Sequence, residues 1–280
     1  MRDMIKQVLD FAAKCPHIRI VGMEGSRTNK NVPKDEFQDF DITYFVDDIG
    51  YFTQNDDWLT YFGTIIMMQK PEDMELFPSE QPGYSYLILF DDYCKLDLTL
   101  LEKQQINDYL QQDKLRTILL DKDGIIPEQI IPSDIDYWIH RPSARSFDDC
   151  CNEFWNLTPY VVKGLCRKEI LFAIDHLSLM KRELLRMLSW KIGTERGFDF
   201  SLGKNYKYLA QYIKKELWEA LLSTYCTNSY KTTWQALFQC HSLFRAASQE
   251  CAEKLGYPYP LSYDKNISKY TEDMYQKYNS

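Results

Sequence analysis

The sequence contains no long apolar run, and this absence excludes a membrane-spanning helix from the expected structure. Its 280 residues are 45% hydrophobic and 26% charged, which is typical of a soluble globular protein. The opening MRDMIKQVLDFAAKC places apolar side chains at helical spacing with charges between them, unlike the unbroken apolar core of a signal peptide. We therefore expect no membrane partner and a location in the cytoplasm.

Patterns that mark several common enzyme classes are also missing. The eight cysteines are scattered without a CxxC pair, and none of the four histidines lies at zinc-ligand spacing. The sequence has no Walker loop, no Gly-x-Ser-x-Gly elbow and no dinucleotide fingerprint. We expect buried reduced thiols, and nothing indicates a P-loop enzyme, a serine hydrolase or a redox enzyme.

Basic charge is in deficit, because the formal net charge is −8. Proteins that bind nucleic acid use basic surface to displace counterions from the phosphate backbone. The acidic balance therefore argues against a nucleic-acid partner and suits a cationic small substrate. The alternative is that a net negative charge of this size only keeps the protein soluble.

The first half of the chain alternates short helical and strand patterns, separated by Pro, Gly and Asp turn signals. We expect a first helix that ends near residue 14 and short helices near residues 55–63 and 103–110. Strands are predicted at residues 17–25, 39–46, 85–90, 95–101 and 116–124. This order predicts a mixed sheet with flanking helices.

The second half changes to long helical periods with wide apolar stripes. Helices are predicted at residues 166–193, 205–213, 215–225 and 230–255, and helical periodicity already begins near residue 147. The segment between the halves carries Pro132 and Pro142 and little periodicity. The predicted fold is therefore α+β, with a sheet-containing domain over residues 1–135 and an all-helical domain over residues 136–280.

Two aspartates interrupt the apolar run DFDITYFV. Side chains two residues apart in a strand point to one face, so Asp39 and Asp41 project together while Phe40 lies opposite. Adjacent carboxylates repel unless a cation lies between them, and Mg²⁺ prefers such oxygen ligands. Asp97 interrupts the later run KLDLTLL, and it completes a three-carboxylate cluster if the two strands are neighbours.

The tetrapeptide EGSR precedes these aspartates. A glycine at a strand end lets the backbone approach a phosphate closely, and the Ser26 hydroxyl can hold phosphate oxygens. Arg27 can neutralise phosphate charge with its planar guanidinium group. We therefore predict nucleotide binding by Gly25, Ser26 and Arg27.

The ordered set of strand, Gly-Ser, Asp-x-Asp and later strand Asp resembles the signature of polymerase-β-like nucleotidyltransferases. Within that superfamily the chain resembles the aminoglycoside 6-adenylyltransferases, also called streptomycin adenylyltransferases, over essentially its whole length. The segments that carry this resemblance are EGSRTN, DEFQDFDITYFV, IIMMQKPEDMELFP, KLDLTLL, LLDKDG, DDCCNEFW, YVVKGLCRKEILFAIDH and GKNYKYL.

The resemblance implies a nucleotidyltransferase domain that binds ATP and Mg²⁺, followed by a helical substrate-binding domain. A streptomycin hydroxyl, at the 6-position, would attack the α-phosphorus and release pyrophosphate. Asp39, Asp41 and Asp97 would be metal ligands. Asp97 would also be the general base, unless metal acidification of the hydroxyl makes a base unnecessary.

Three lysines are further candidates for holding the triphosphate. Lys95 shares a strand face with Asp97 and either reaches a phosphate or forms an ion pair with the carboxylates. Related enzymes use a lysine of the helical half, and Lys204 after Gly203 is better placed than Lys163. The alternative for both is an exposed lysine at the end of a helix.

Streptomycin carries two guanidinium groups and an amine, so its site should offer carboxylates and aromatic faces. Asp149 and Glu153 are four residues apart on one helical face, and Asp175 interrupts an apolar helix. The predicted drug-binding acids are Asp148, Asp149, Glu153 and Asp175. Each of them equally suits a solvated face or a structural ion pair.

Together these patterns and the resemblance predict a magnesium-dependent aminoglycoside 6-adenylyltransferase that acts on streptomycin. We expect it to be a monomer. One alternative keeps the chemistry and changes the acceptor to another aminoglycoside, a lincosamide or a protein side chain. Another is a catalytically silent nucleotide-binding module, against which the three intact aspartates argue.

Overall fold

The computed structural model describes residues 2–126 and 130–279. The chain divides into two compact units, Met1–Asp136 and Tyr137–Ser280. The first unit contains a sheet with flanking helices and the second is helical, which confirms the predicted α+β class. The assignment of these units to nucleotide and substrate binding stays a prediction.

The first unit is built on a six-stranded mixed sheet in the order β3-β4-β5-β2-β1-β6. Only β2 and β5 run parallel, and every other neighbouring pair in this sheet is antiparallel. The strands are β1 (Ile18–Glu24), β2 (Phe40–Val46), β3 (Ile65–Gln69), β4 (Tyr84–Phe90), β5 (Lys95–Glu102) and β6 (Arg116–Asp121). The parallel pair brings two predicted carboxylate-bearing strands side by side at the centre of the sheet.

Helix α1 (Met4–Lys14) packs on one face of this sheet. Its side chains at Met4, Val8 and Ala12 follow helical spacing and are fully buried. The Asp3 side chain caps the helix by accepting from the Lys6 backbone N–H at 3.0 Å. The Tyr44 hydroxyl donates to the Val8 carbonyl at 2.7 Å, which ties α1 to β2.

Three details of the first unit differ from the prediction. Strand β3 was not predicted, because it is an edge strand whose Ile66 and Met67 side chains are exposed and give no alternating pattern. The helix predicted at 55–63 is a short 3-10 turn, Asp57–Phe62. The unpredicted α2 (Ile49–Thr53) precedes this turn, and α3 (Ile106–Gln112) agrees with the prediction.

The second unit packs its helices around one aromatic and aliphatic core. Its helices are α4 (Ala144–Cys166), α5 (Ile170–Arg196), α6 (Lys215–Ser223), α7 (Tyr230–Leu255) and α8 (Leu261–Asn279). Phe154 of α4 and Phe244 of α7 stack in the core, with ring centroids 3.7 Å apart. None of the helices described is long and apolar enough to cross a membrane.

The helix predicted at 205–213 is wrong. Two short 3-10 turns, Lys204–Tyr206 and Leu209–Gln211, lie there instead. Asn205 and Tyr206 have positive φ angles of 55° and 60°, a left-handed backbone that cannot continue a right-handed helix. Helix α8 was not predicted, because its composition is polar.

All eight cysteines are free, as predicted, but only half of them are buried. Cys150, Cys151, Cys240 and Cys251 are buried in the helical core. Cys226 is exposed, so the expectation of buried thiols is wrong at that position.

Candidate active site

The register of the parallel pair β2–β5 places Asp41 directly opposite Asp97. Register partners in a sheet project from the same face, so the two carboxylates are neighbours. Asp39 immediately precedes β2, two residues before Asp41. The condition under which Asp97 joins Asp39 and Asp41, that the two strands are neighbours, is therefore met in the fold.

The Asp41 carboxylate lies in an environment that disfavours its charge. Burial and then the negative charges of Asp97, Asp39 and Glu24 raise the pKa of Asp41 to about 6. The nearby Lys95 opposes this shift without cancelling it. A bound cation would relieve the repulsion that these carboxylates exert on one another.

The Lys95 ammonium bridges two of the aspartates. Its Nζ lies 3.0 Å from Asp39 Oδ2 and 2.8 and 2.7 Å from the two oxygens of Asp97. Burial alone would lower the pKa of Lys95, but its bonds to Asp97 and Asp39 raise it. Of the two roles predicted for Lys95, the structure contains the ion pair with the carboxylates.

The donor set fits Mg²⁺ by chemistry, since it consists of carboxylate oxygens. Within the described residues, however, no three Asp, Glu, His or Cys side chains converge on one metal position. Asp39 and Asp97 converge on Lys95 instead. A divalent cation at these carboxylates would therefore compete with the Lys95 ammonium for the same oxygens.

Gly25 begins the 3-10 turn Gly25–Arg27 at the end of β1 and has a φ of 75°. A Cβ at this position would lie 2.2 Å from Asp41 Oδ2, so a side chain here would strain the backbone and displace this carboxylate. The Ser26 hydroxyl has no hydrogen bond within the described part of the chain. It is thus free to bind a ligand oxygen next to the aspartates.

Arg27 holds the loop that leads into β2. Its Nε donates to the Asp39 carbonyl at 2.9 Å, and its NH2 donates to the Gln38 carbonyl at 2.6 Å. The guanidinium carbon lies 3.5 Å from the centre of the Phe40 ring. These contacts fix the backbone of Asp39, so Arg27 positions a predicted metal ligand. Its predicted contact with phosphate stays a prediction.

Glu24 and Arg116 were not among the predicted site residues. Glu24 lies opposite Asp41 on β1 and accepts from the Thr43 hydroxyl at 2.9 Å. Arg116, opposite Glu24 on β6, forms a 3.4 Å ion pair with it and lies 3.9 Å above the Tyr109 ring. Burial raises the pKa of Glu24 despite these partners. The only sequence signal was the position of Glu24 directly before Gly-Ser.

The two lysines predicted in the helical unit differ in their surroundings. Lys204 is exposed at the start of a 3-10 turn, and its ammonium has no hydrogen bond or ion pair within the described residues. Lys163 lies over two aromatic rings, 4.8 Å from the centre of Tyr160 and 5.0 Å from that of Phe172. Lys204 is therefore the less constrained of the two for binding phosphate.

The acids predicted to bind the drug lie on α4 and α5. Asp148 and Asp149 form exposed ion pairs with Arg145, at 3.9 and 3.0 Å, and Glu153 is exposed. Asp175 is also exposed, so the premise that it interrupts a buried stripe is wrong. The neighbouring Leu171 is 80% exposed, which shows that the buried stripe of α5 is narrower than its apolar pattern.

Comparison with known proteins agrees with this arrangement. The sequence profile of the family described as Streptomycin adenylyltransferase matches residues 1–274. The chain belongs to this family. Its members catalyse nucleotidyl transfer, so the protein is an enzyme of the nucleotidyltransferase class.

Three characterised members of the family are each named aminoglycoside 6-adenylyltransferase. The Campylobacter jejuni protein is 57% identical over 278 residues, which is 99% of this chain and 96% of that protein. The Bacillus subtilis protein is 53% identical over 98% of this chain and 97% of its own length. The Staphylococcus aureus protein is 45% identical over 98% of each. The assignment to this family supports adenylylation of an aminoglycoside.

A crystal structure of an aminoglycoside 6-adenyltransferase from Bacillus subtilis has the same fold. It is 48% identical in sequence, and the match covers 98% of this chain and 99% of that chain with a TM-score of 0.50. The streptomycin adenylyltransferase family thus accounts for the sheet unit and for the helical unit that follows it.

Proposed function

We propose that this cytoplasmic enzyme transfers AMP from ATP to the 6-hydroxyl of streptomycin and thereby inactivates the drug. The observation that carries the proposal is the register of Asp41 with Asp97 beside Gly25, where a side chain would displace the Asp41 carboxylate. Three carboxylates on the two central strands of the sheet, next to a free serine hydroxyl, are suited to phosphoryl chemistry. The assignment to the family supports the aminoglycoside as acceptor.

Asp39, Asp41 and Asp97 would hold Mg²⁺, which supplies charge neutralisation at the α-phosphate and lowers the pKa of the attacking hydroxyl. The substrate oxygen forms a bond to the α-phosphorus, and the bond from that phosphorus to the pyrophosphate oxygen breaks. The hydroxyl proton passes to Asp97 or to solvent. Because Lys95 holds both Asp39 and Asp97, it keeps these carboxylates oriented before the substrates bind.

The phosphate-binding role is assigned to Gly25 and Ser26 in the sheet unit and to Lys204 in the helical unit. Gly25 lets the chain approach a phosphate closely, and the free hydroxyl of Ser26 can donate to it. Lys204 is exposed and free of partners in the described part of the chain. Arg27 contributes by holding the Asp39 backbone. The assignment of Asp148, Asp149, Glu153 and Asp175 to drug binding stays a prediction.

The test is an assay of pyrophosphate release with purified protein and ATP. We expect release only when streptomycin and Mg²⁺ are both present, because the nucleophile belongs to the drug and the carboxylates need a cation. Kanamycin and a lincosamide serve as alternative acceptors in the same assay. Release with either of these and not with streptomycin would refute streptomycin as the substrate. Full release without any divalent cation would refute the metal mechanism.

A further inference from the structure

A cavity of about 560 Å³ lies in the sheet unit beside the carboxylates. Its walls come from Arg2, Arg27, residues 36–38 with Phe40, and the β4–β5 turn Asp92–Lys95. We name it the turn cavity. Lys95 belongs both to its wall and to the ion pair with Asp97, so the cavity opens next to the carboxylate proposed to face the attacking hydroxyl.

The cationic groups of the turn cavity already have partners. Arg2 donates to the Phe62 carbonyl and to Asp92, and its guanidinium carbon lies 4.5 Å from the centre of the Phe90 ring. Lys95 is held by Asp39 and Asp97. Arg27, the remaining cation of the wall, donates to two backbone carbonyls and covers a phenyl ring. These groups therefore have little left to offer an anionic ligand.

The wall of the turn cavity also has side chains without partners, and these are acidic or aromatic. Glu36 is exposed and has no ion pair or hydrogen bond within the described residues. Phe37 is 85% exposed and Tyr93 is 80% exposed, far more than is usual for large aromatic side chains. The cavity thus presents one free carboxylate and two free aromatic faces. These are the groups that recognise a flat cation.

The backbone at Tyr93 adds an independent observation. Tyr93 closes the β4–β5 turn, where its N–H donates to the Phe90 carbonyl at 2.9 Å and the Phe90 N–H donates to the Cys94 carbonyl at 3.0 Å. Its φ is 63°, a left-handed conformation that suits glycine or asparagine and costs a tyrosine about 1 kcal/mol. A tyrosine that is both exposed and strained brings the fold no packing, which points to a ligand.

We propose that the turn cavity binds the acceptor and that it takes a guanidinium group. The flat cation would stack on Phe37 or Tyr93 and donate to the Glu36 carboxylate. The inference rests on the proposed function, in which the acceptor is streptomycin with its two guanidinium groups. It assigns recognition of the drug to the sheet unit, whereas the acids predicted for that role are exposed on α4 and α5.

The direct test is calorimetric titration of streptomycin into the full-length protein without ATP or Mg²⁺. Phe37→Ala, Tyr93→Asn and Glu36→Gln should each weaken binding about 3- to 30-fold, the range for loss of a cation–aromatic or charged contact. Phe77→Ala, at another exposed phenylalanine of the same unit, should leave binding unchanged. Dissociation constants of all three variants within twofold of the unmodified protein would overturn the proposal.

Tyr93→Asn also separates recognition from folding. Asparagine tolerates a positive φ, so this variant should be at least as resistant to thermal unfolding as the unmodified protein while it binds streptomycin more weakly. If Tyr93→Asn instead unfolds more easily and binds streptomycin normally, Tyr93 is a structural residue and the proposal fails at this position.

Competition by small cations tests the chemical class of the ligand. Methylguanidinium should displace streptomycin at lower concentration than methylammonium, because only the planar ion can stack on the rings and donate two parallel hydrogen bonds. Phe37→Ala should reduce this difference, because one of the two rings is then missing. Equal displacement by the two ions would contradict a guanidinium site.

Steady-state kinetics distinguish failure of the turn-cavity proposal from failure of the proposed function. We expect the three variants to raise KM for streptomycin and to leave KM for ATP unchanged. A raised KM for ATP alone would place the nucleotide in the turn cavity and overturn the proposal. If streptomycin binds with the expected dependence on Phe37 but releases no pyrophosphate, the site stands and the proposed function fails.

Discussion

Asp41 and Asp97 lie opposite each other on the only parallel strand pair of the described sheet. A Cβ atom at Gly25 would clash with the carboxylate of Asp41. Two acids and a glycine with a left-handed backbone therefore occupy one small region at the centre of the sheet. Repulsion between the acids disfavours their charged forms, and the Lys95 ammonium offsets it only in part.

Asp41→Asn should abolish adenylyl transfer and leave the fold intact. The substitution removes a charge from a half-buried site crowded by like charges, so the free energy of unfolding without metal should rise by about 1 kcal/mol. Chemical denaturation and pyrophosphate release measure the two effects. Asp57→Asn, at an exposed position of the same unit, is the matched control for both. A variant that keeps most of the activity would show that Asp41 is not a metal ligand.

Lys95→Met should make the protein more dependent on Mg²⁺ for stability. Without metal, loss of the ammonium leaves Asp39 and Asp97 unpaired, and the free energy of unfolding should fall by about 0.5–1 kcal/mol for this half-exposed pair. Added Mg²⁺ should then stabilise the variant more than the unmodified protein, because no ammonium competes with it. Equal stabilisation of the two proteins would indicate that the metal does not use these oxygens.

Arg27→Lys should lower the free energy of unfolding by about 1–2 kcal/mol, because lysine cannot donate to two carbonyls and stack on Phe40 at once. Activity should fall with it, as the Asp39 backbone loses its support. Arg145→Lys, at an 81% exposed arginine side chain, is the control. Unchanged stability with a raised KM for ATP would instead identify Arg27 as a direct ligand of phosphate.

The helical unit should lose stability as the pH falls below about 6.5, because His241 is buried in its core. Burial, and then the charge of Arg245, lower the pKa of His241 from 6.5 to about 3, and Asp264 opposes this only in part. The folded protein therefore resists protonation of His241. At pH 5 this costs about 2 kcal/mol of unfolding free energy relative to pH 8.

Denaturation of the unmodified protein and of His241→Gln at pH 8 and pH 5 measures the contribution of His241 to this loss of unfolding free energy. The variant has no imidazole to protonate, so its stability should fall by about 2 kcal/mol less than that of the unmodified protein between these values. His140→Gln, at an exposed histidine, should behave like the unmodified protein. An identical pH dependence of His241→Gln and the unmodified protein would contradict the assignment.

The sequence predicted those parts of the fold in which one strong local pattern dominates. Helix α7 and the strands β2 and β5 have clear periodicity, whereas the pairing of the last two was left open as the condition for a three-carboxylate cluster. Strand β3 was missed because its side chains do not alternate between buried and exposed. Helix α8 was missed because its composition is polar. The helix predicted at residues 205–213 was wrong because Asn205 and Tyr206 have positive φ angles. The periodicity of the sequence does not reveal these angles.

Within the candidate site, residue types were easier to predict than contacts. The aspartates and Gly25 could be found because their chemistry is unusual in a strand or at its end. The ion pair of Lys95 was one of its two predicted roles, but the loop carbonyls that Arg27 binds were not predicted. The row that joins Glu24 and Arg116 to Asp41 depends on register between strands that are distant in the chain. The pattern of one strand alone does not specify this register, because it also depends on the turns and the neighbouring strands.

Mass spectrometry of streptomycin after incubation with the protein, ATP and Mg²⁺ tests the proposed reaction most directly. We expect the drug to gain the mass of one adenylyl group, the gain to require a divalent cation, and NMR of the product to place the phosphodiester at the 6-hydroxyl. Asp41→Asn should yield no adduct under the same conditions. Unmodified streptomycin after complete incubation with every divalent cation tested would contradict the proposed function.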